Sequence, residues 1–122
     1  MFVNSDVYIK YLKLWLITLF FLIVLMVGVG GLTRLTDSGL SITAWELFTG
    51  ILPPLNSLDW NNYFLEYKKI PEYKNINFGM SLQEFKVIFY WEYAHRLLAR
   101  IVGLFSLIPL IYISLKFKDH KL

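Results

Sequence analysis

Cysteine is absent from the 122 residues, which removes disulfides, thiolate metal sites and thiol nucleophiles. The absence leaves the redox compartment undetermined, since a chain without thiols suits an oxidising or a reducing side. Also missing is any dense basic run interleaved with aromatics. The net charge of +3 is scattered over the ends and the middle, so nucleic-acid binding is a poor reading. Neither the zinc-protease pattern H-E-x-x-H nor a glycine-rich phosphate loop with its lysine occurs. No internal repeat and no low-complexity segment interrupts the chain.

What the chain has is apolar: 57% of residues are hydrophobic and 18% aromatic, with a mean hydropathy of +0.51. These values suit a membrane protein. The apolar residues gather in two blocks around a polar middle, which is expected to be too polar for a second water-soluble core of any size. From Leu14 to Thr33 there are twenty residues without a charge, long enough to cross a hydrocarbon core of roughly 30 Å as a helix. A signal peptide competes, with Lys10 and Lys13 as its basic region, but the run exceeds the usual apolar length and no A-x-A site follows.

The second block opens with Ser81-Leu82-Gln83-Glu84, the S-x-x-E spacing of a capping box, and meets its first breaker at Pro109. Its uncharged part, Ile101 to Leu115, is only fifteen residues, so the span must take in some of Glu92, His95, Arg96 and Arg100. Lysines flank both spans at the chain ends (Lys10, Lys13, Lys116, Lys118, Lys121), whereas Arg34 to Lys86 carries five basic and six acidic residues. By the positive-inside rule both termini are expected in the cytoplasm. The resulting layout is all-α and integral to the membrane: a cytoplasmic N-terminus over 1–13, transmembrane helix 1 over 14–33 and an extracytoplasmic loop over 34–81. A long helix over 82–117 includes transmembrane helix 2, and 118–122 form a cytoplasmic tail. Within the loop, Asp59 is placed to cap a short helix that ends at Pro71. Its Trp60, Phe64 and Tyr67 share a face, read here as resting at headgroup depth in preference to stacking on a ligand.

On a helix, Glu92, Arg96, Arg100 and Gly103 form one stripe with His95 beside it. Each ionisable group at membrane depth costs about 2.5–3.5 kcal/mol unless paired, so the stripe calls for partners. Facing helices or a bound anion would supply them. His95 is the one plausible axial ligand to an iron, since the only other histidine, His120, lies in the basic tail; a structural histidine hydrogen-bonded to Glu92 is the plainer alternative. Gly28, Gly30 and Gly31 permit close approach of a helix or a flat ligand, packing being the simpler use. Arg34 is a snorkelling anchor or a partner for a carboxylate. A single Glu-x-x-His pair is weak evidence alone, since four-helix di-iron proteins use two.

The run Gly30 to Ser41, then Trp45, Gly50, Pro53-Pro54, Ile70 to Tyr73, Met80 to Lys86 and Trp91-Glu92-Tyr93-Ala94-His95-Arg96, resembles the haem A synthase family, closest to its alphaproteobacterial and mitochondrial branch. Relatives elsewhere carry a cysteine pair in the first external loop, and this chain has none. The resemblance implies the first part of an eight-helix bundle of two similar halves. Its activity would be oxidation of the C8 methyl of haem O to a formyl group by successive hydroxylations, giving haem A for cytochrome oxidase. It implies haem O as substrate at this half, with Glu92 catalytic and His95 a ligand of the haem iron. Arg34, Arg96 and Arg100, the only arginines, would hold the propionates. A haem b cofactor is assigned to the absent C-terminal half. Implied partners are membrane lipid and haem O synthase (the protoporphyrin farnesyltransferase), with homo-oligomerisation open, in a bacterial inner membrane or a mitochondrial one. Two other readings stay open: a two-helix haem- or metal-binding subunit acting as a dimer, and a cofactor-free membrane scaffold.

Overall fold

The computed structural model describes residues 5–118, so His120 lies outside the described residues. Among these all regular structure is helical: α1 (Ser5–Leu35), α2 (Ser57–Tyr67), α3 (Pro71–Asn75) and α4 (Leu82–Lys118), with a 3-10 turn at Thr49–Ile51. α1 and α4 are each long and apolar enough to cross a membrane. None of the most apolar stretch of either is buried within the chain, whereas the core helix of a soluble protein would be covered. The two therefore read as membrane spans, and the protein as integral to a membrane.

The chain divides into two compact units, one taking the chain up to Val27 and from Leu98 onward, the other Gly28–Leu97. In the first unit, Pro109 lies inside α4 without ending it. Proline has no N–H to give the carbonyl four residues earlier, and that carbonyl belongs to Phe105. The indole N–H of Trp15 donates to it at 3.0 Å, while the Trp15 and Phe105 rings stack with centroids 6.2 Å apart. A freed carbonyl in a water-poor setting must find a donor elsewhere, and here a side chain of α1 supplies it.

The second unit has a core of its own, contrary to the expectation for the polar middle. Trp60, Phe64 and Tyr67 of α2 pack against Phe85, Ile88 and Phe89 of α4, with Ile42 at the edge. Phe64 lies 4.9 Å from Phe85 and Trp60 4.9 Å from Phe89, centroid to centroid. The aromatic face of α2 thus meets α4 rather than lipid headgroups, because Phe85 and Phe89, one turn apart, offer it a matching surface. The cap of α2 also differs from expectation. Asn56 is the N-cap, accepting from the Asp59 N–H at 2.8 Å, and its Nδ2 donates back to Asp59 at 2.8 Å. Asp59 is therefore the third helical residue, its carboxylate held by the side-chain amide of the cap. The Ser81 box forms as the sequence suggests, with Glu84 accepting from the Ser81 N–H at 2.7 Å.

Buried Tyr67 keeps its polar end satisfied by donating to Glu72 at 2.9 Å and accepting from Asn77 at 2.7 Å. Burial, chiefly, pushes its phenol up to about 12. Burial, and then the hydrogen bond to Glu46, does the same for Tyr63.

The bond between Trp15 and Phe105 makes a stability test. Trp15→Phe should destabilise the wild-type chain in bicelles more than it destabilises Pro109→Ala, whose new N–H restores the helical bond to Phe105. The expected coupling in a double-mutant cycle is about 1 kcal/mol; strictly additive effects would show that the indole does not serve the proline.

Candidate functional site

Glu92, with 4% of its surface exposed, lies one turn beyond Ile88 and Phe89 on the stripe of α4 that packs the aromatic core. Its partners come from the segment just after α1. That segment is shaped by the end of the helix. Ser38 N–H reaches back to Thr33 C=O at 2.9 Å and Asp37 N–H to Arg34 C=O at 3.3 Å, the paired bonds of a Schellman stop. The stop requires a left-handed residue after the cap, and Asp37 supplies it with φ 49°; aspartate tolerates that region better than most side chains. The Thr36 and Ser38 hydroxyls bond to each other, and Thr33 Oγ1 donates to Gly30 C=O at 2.7 Å. The chain then turns so that Ser41 and Ile42 face α4.

The carboxylate of Glu92 is held on both oxygens. Oε2 accepts from the Ser41 hydroxyl at 2.8 Å and the Ile42 N–H at 2.7 Å. Oε1 accepts from Arg96 Nε at 2.8 Å and makes an ion-pair contact with Nη2 at 2.6 Å. Arg96 in turn donates from Nη1 to Ala44 C=O at 3.0 Å and from Nη2 to Ile42 C=O at 2.8 Å. Two side chains one turn apart therefore fasten residues 41–44 to the helix through both acceptors and donors of that backbone. The partners demanded by a buried charge are supplied by this chain itself.

His95 is not among the partners of Glu92, and among the described residues no hydrogen bond to its ring is present. The half-buried imidazole instead lies over Gly30, where an added Cβ would come within 2.9 Å of Nε2. Gly30 is the glycine whose lack of a side chain is used; Gly28 and Gly31 have open space around them. Arg34 is exposed and Arg100 half-buried. The structure thus joins Glu92 to Arg96 and sets His95 beside them, while Arg34 stands outside this network. Ser41, Ile42 and Ala44 belong to the site although the sequence assigned them no role, since a hydroxyl and two backbone groups carry no signal of their own. No cluster of three histidine, cysteine or acidic residues placed to hold a bare metal ion occurs among the described residues. A haem iron needs no such cluster from its protein, only axial ligands, and an imidazole without a hydrogen-bond partner fits that role.

Fold and site together define a helical membrane protein with a buried ion pair fastening its loop to its second long helix. The chain belongs to the cytochrome oxidase assembly protein family, whose model matches residues 13–121. It is similar to the haem A synthase of Pelagibacter ubique, 84% identical over 118 residues, or 97% of this chain and 35% of that protein. The haem A synthase of Sphingopyxis alaskensis is 54% identical over 80% of this chain and 28% of its own length. That of Agrobacterium fabrum is 52% identical over 92% of this chain and 31% of its own length. The chain therefore spans about a third of these relatives. No solved structure matches it.

Removing Arg96 would leave Glu92 buried beside hydrogen-bond donors but without its counter-charge. Arg96→Gln should cost the unit Gly28–Leu97 about 3 kcal/mol, the low end for breaking a buried pair, since the arginine side chain is 32% exposed. Arg96→Lys should recover only part, having no fork to span Glu92 and two carbonyls. Denaturant unfolding in micelles followed by tryptophan fluorescence measures this; a loss below about 1 kcal/mol would mark the pair as a surface bridge.

Proposed function

We propose that the chain is the N-terminal part of a haem A synthase, which oxidises the C8 methyl of haem O to a formyl group by successive hydroxylations. The observation that carries this reading is the identity with haem A synthases across nearly the whole chain. In it, residues 14–33 and the apolar part of 82–117 are the first two spans of an eight-helix protein of two similar halves. The near balance of basic and acidic residues between the spans, against the lysine excess at both chain ends, supports placing 34–81 outside the cytoplasm, with 1–13 and 118–122 inside. The membrane is a bacterial inner membrane, or a mitochondrial one in a eukaryote. A haem b cofactor belongs to the remaining half of the protein, and haem O synthase is the enzyme that would hand over the substrate.

His95 is the ligand for the substrate iron, supported by its unengaged imidazole. Glu92, three residues earlier on the same helix, lies about 5–6 Å away at Cβ. Withdrawing hydrogen equivalents from a methyl builds positive character on its carbon, and a buried carboxylate stabilises that charge or orients a water. Exposed Arg34 is suited to a propionate, as is Arg100. Arg96 contributes through donors beyond those committed to Glu92 and the loop.

The two roles separate on mutation. In the full-length protein, His95→Ala should weaken haem O binding, read as loss of the perturbed haem absorption. Glu92→Gln should keep haem O bound yet slow formyl formation by at least about 100-fold. An unchanged spectrum in the first variant rules out ligation, and near wild-type oxidation in the second rules out a catalytic carboxylate.

A further inference from the structure

A carboxylate oxygen that accepts two hydrogen bonds has no lone pair to spare. Oε2 of Glu92 is in that condition and Oε1 is covered by the Arg96 guanidinium, so a reacting group could approach only if a donor withdrew. The Ile42 N–H is main chain, and the structure gives it no other acceptor. Arg96 Nε likewise donates to Glu92. Ser41 is different. Its hydroxyl is fully buried and has three acceptors around it: Glu92 Oε2 at 2.8 Å, Ser38 C=O at 2.8 Å and Ile88 C=O at 3.2 Å. One hydrogen cannot serve three acceptors. It can turn from Glu92 to Ser38 by rotation about a single bond, with no movement of backbone and no buried donor left unsatisfied.

We propose that Ser41 is a positioning residue for Glu92, a rotating donor that holds the carboxylate at rest and frees one lone pair of Oε2 when haem O is bound. The freed site stays open while haem O itself is bound, and accepts a hydrogen bond from the hydroxyl that the first oxidation puts on the methyl. This deepens the reading of Glu92 as the catalytic carboxylate and rests on it. The Schellman stop at Asp37 and the bonds from Arg96 to Ile42 and Ala44 keep the loop in place while the hydroxyl turns, so the exchange needs no opening of the site.

The test is infrared difference spectroscopy of the full-length protein, with the Glu92 carboxylate stretch assigned by Glu92→Gln. In the wild type the band should move on adding haem O toward the position of a carboxylate with fewer donors. In Ser41→Ala it should already be there and should not respond to haem O. Ser41→Thr, which keeps the hydroxyl, should restore the response, and Ser41→Cys, a weak donor of similar size, should lie between. Turnover in Ser41→Ala should fall about tenfold, as for loss of one hydrogen bond to a charged group, with KM unchanged. A wild-type band indifferent to haem O, or a Ser41→Ala band unmoved from wild type, overturns the proposal. The band of the haem-free wild type against Ser41→Cys is readable even where Ser41→Ala does not fold. If the wild type binds haem O without oxidising it, the enzymatic reading fails, while the band still reports whether Ser41 rotates.

Discussion

A buried carboxylate must have its lone pairs filled, because an unpaired charge removed from water costs several kcal/mol. Much of the unit Gly28–Leu97 can be understood as the means of filling those of Glu92. The Schellman stop turns the chain after α1, the turn presents Ser41 and Ile42, and Arg96 closes the other side while tying down two carbonyls of the same loop. The aromatic core of α2 on α4 then buries the stretch of α4 just before it. Loop position and carboxylate orientation are consequently one property, and a change to either moves both.

The same interdependence bears on the roles proposed for Glu92 and His95. The carboxylate is fixed by three hydrogen bonds and an ion pair, whereas the imidazole is fixed by packing over Gly30. A side chain held by contact alone can adjust to a ligand; one held by several donors cannot unless a donor is exchangeable. That contrast suits the proposed roles, a histidine that accommodates an incoming iron beside a carboxylate already aimed.

Much of this was legible in the residues. The two long helices follow from charge-free runs and from the Ser81 capping box, and the juxtaposition of Glu92, His95 and Arg96 follows from three- and four-residue spacing. In the polar middle, average polarity hides a pattern: Trp60, Phe64 and Tyr67 make a full apolar face that needs only Phe85 and Phe89 to cover it, and those belong to the helix that carries the second span. Asn56 and Asp59 are both good capping residues, and only the start of the helix decides between them. Ser41, Ile42 and Ala44 were illegible, since their contribution is a hydroxyl and backbone groups brought some fifty residues along the chain to α4. The service of Trp15 to the carbonyl freed by Pro109 was illegible for the same reason.

The loop is fastened to α4 through Glu92, and the amide of Ile42 reports on that directly because its hydrogen bond to Oε2 is 2.7 Å long. Hydrogen exchange resolved to single amides in the full-length protein would measure it, with Trp45, whose side chain is 85% exposed, as the nearby reference. The Ile42 amide should exchange at least about 100-fold more slowly than that of Trp45, and should lose the protection in Glu92→Gln. An Ile42 amide that exchanges as fast as Trp45, or that keeps its protection without the carboxylate, would contradict that fastening.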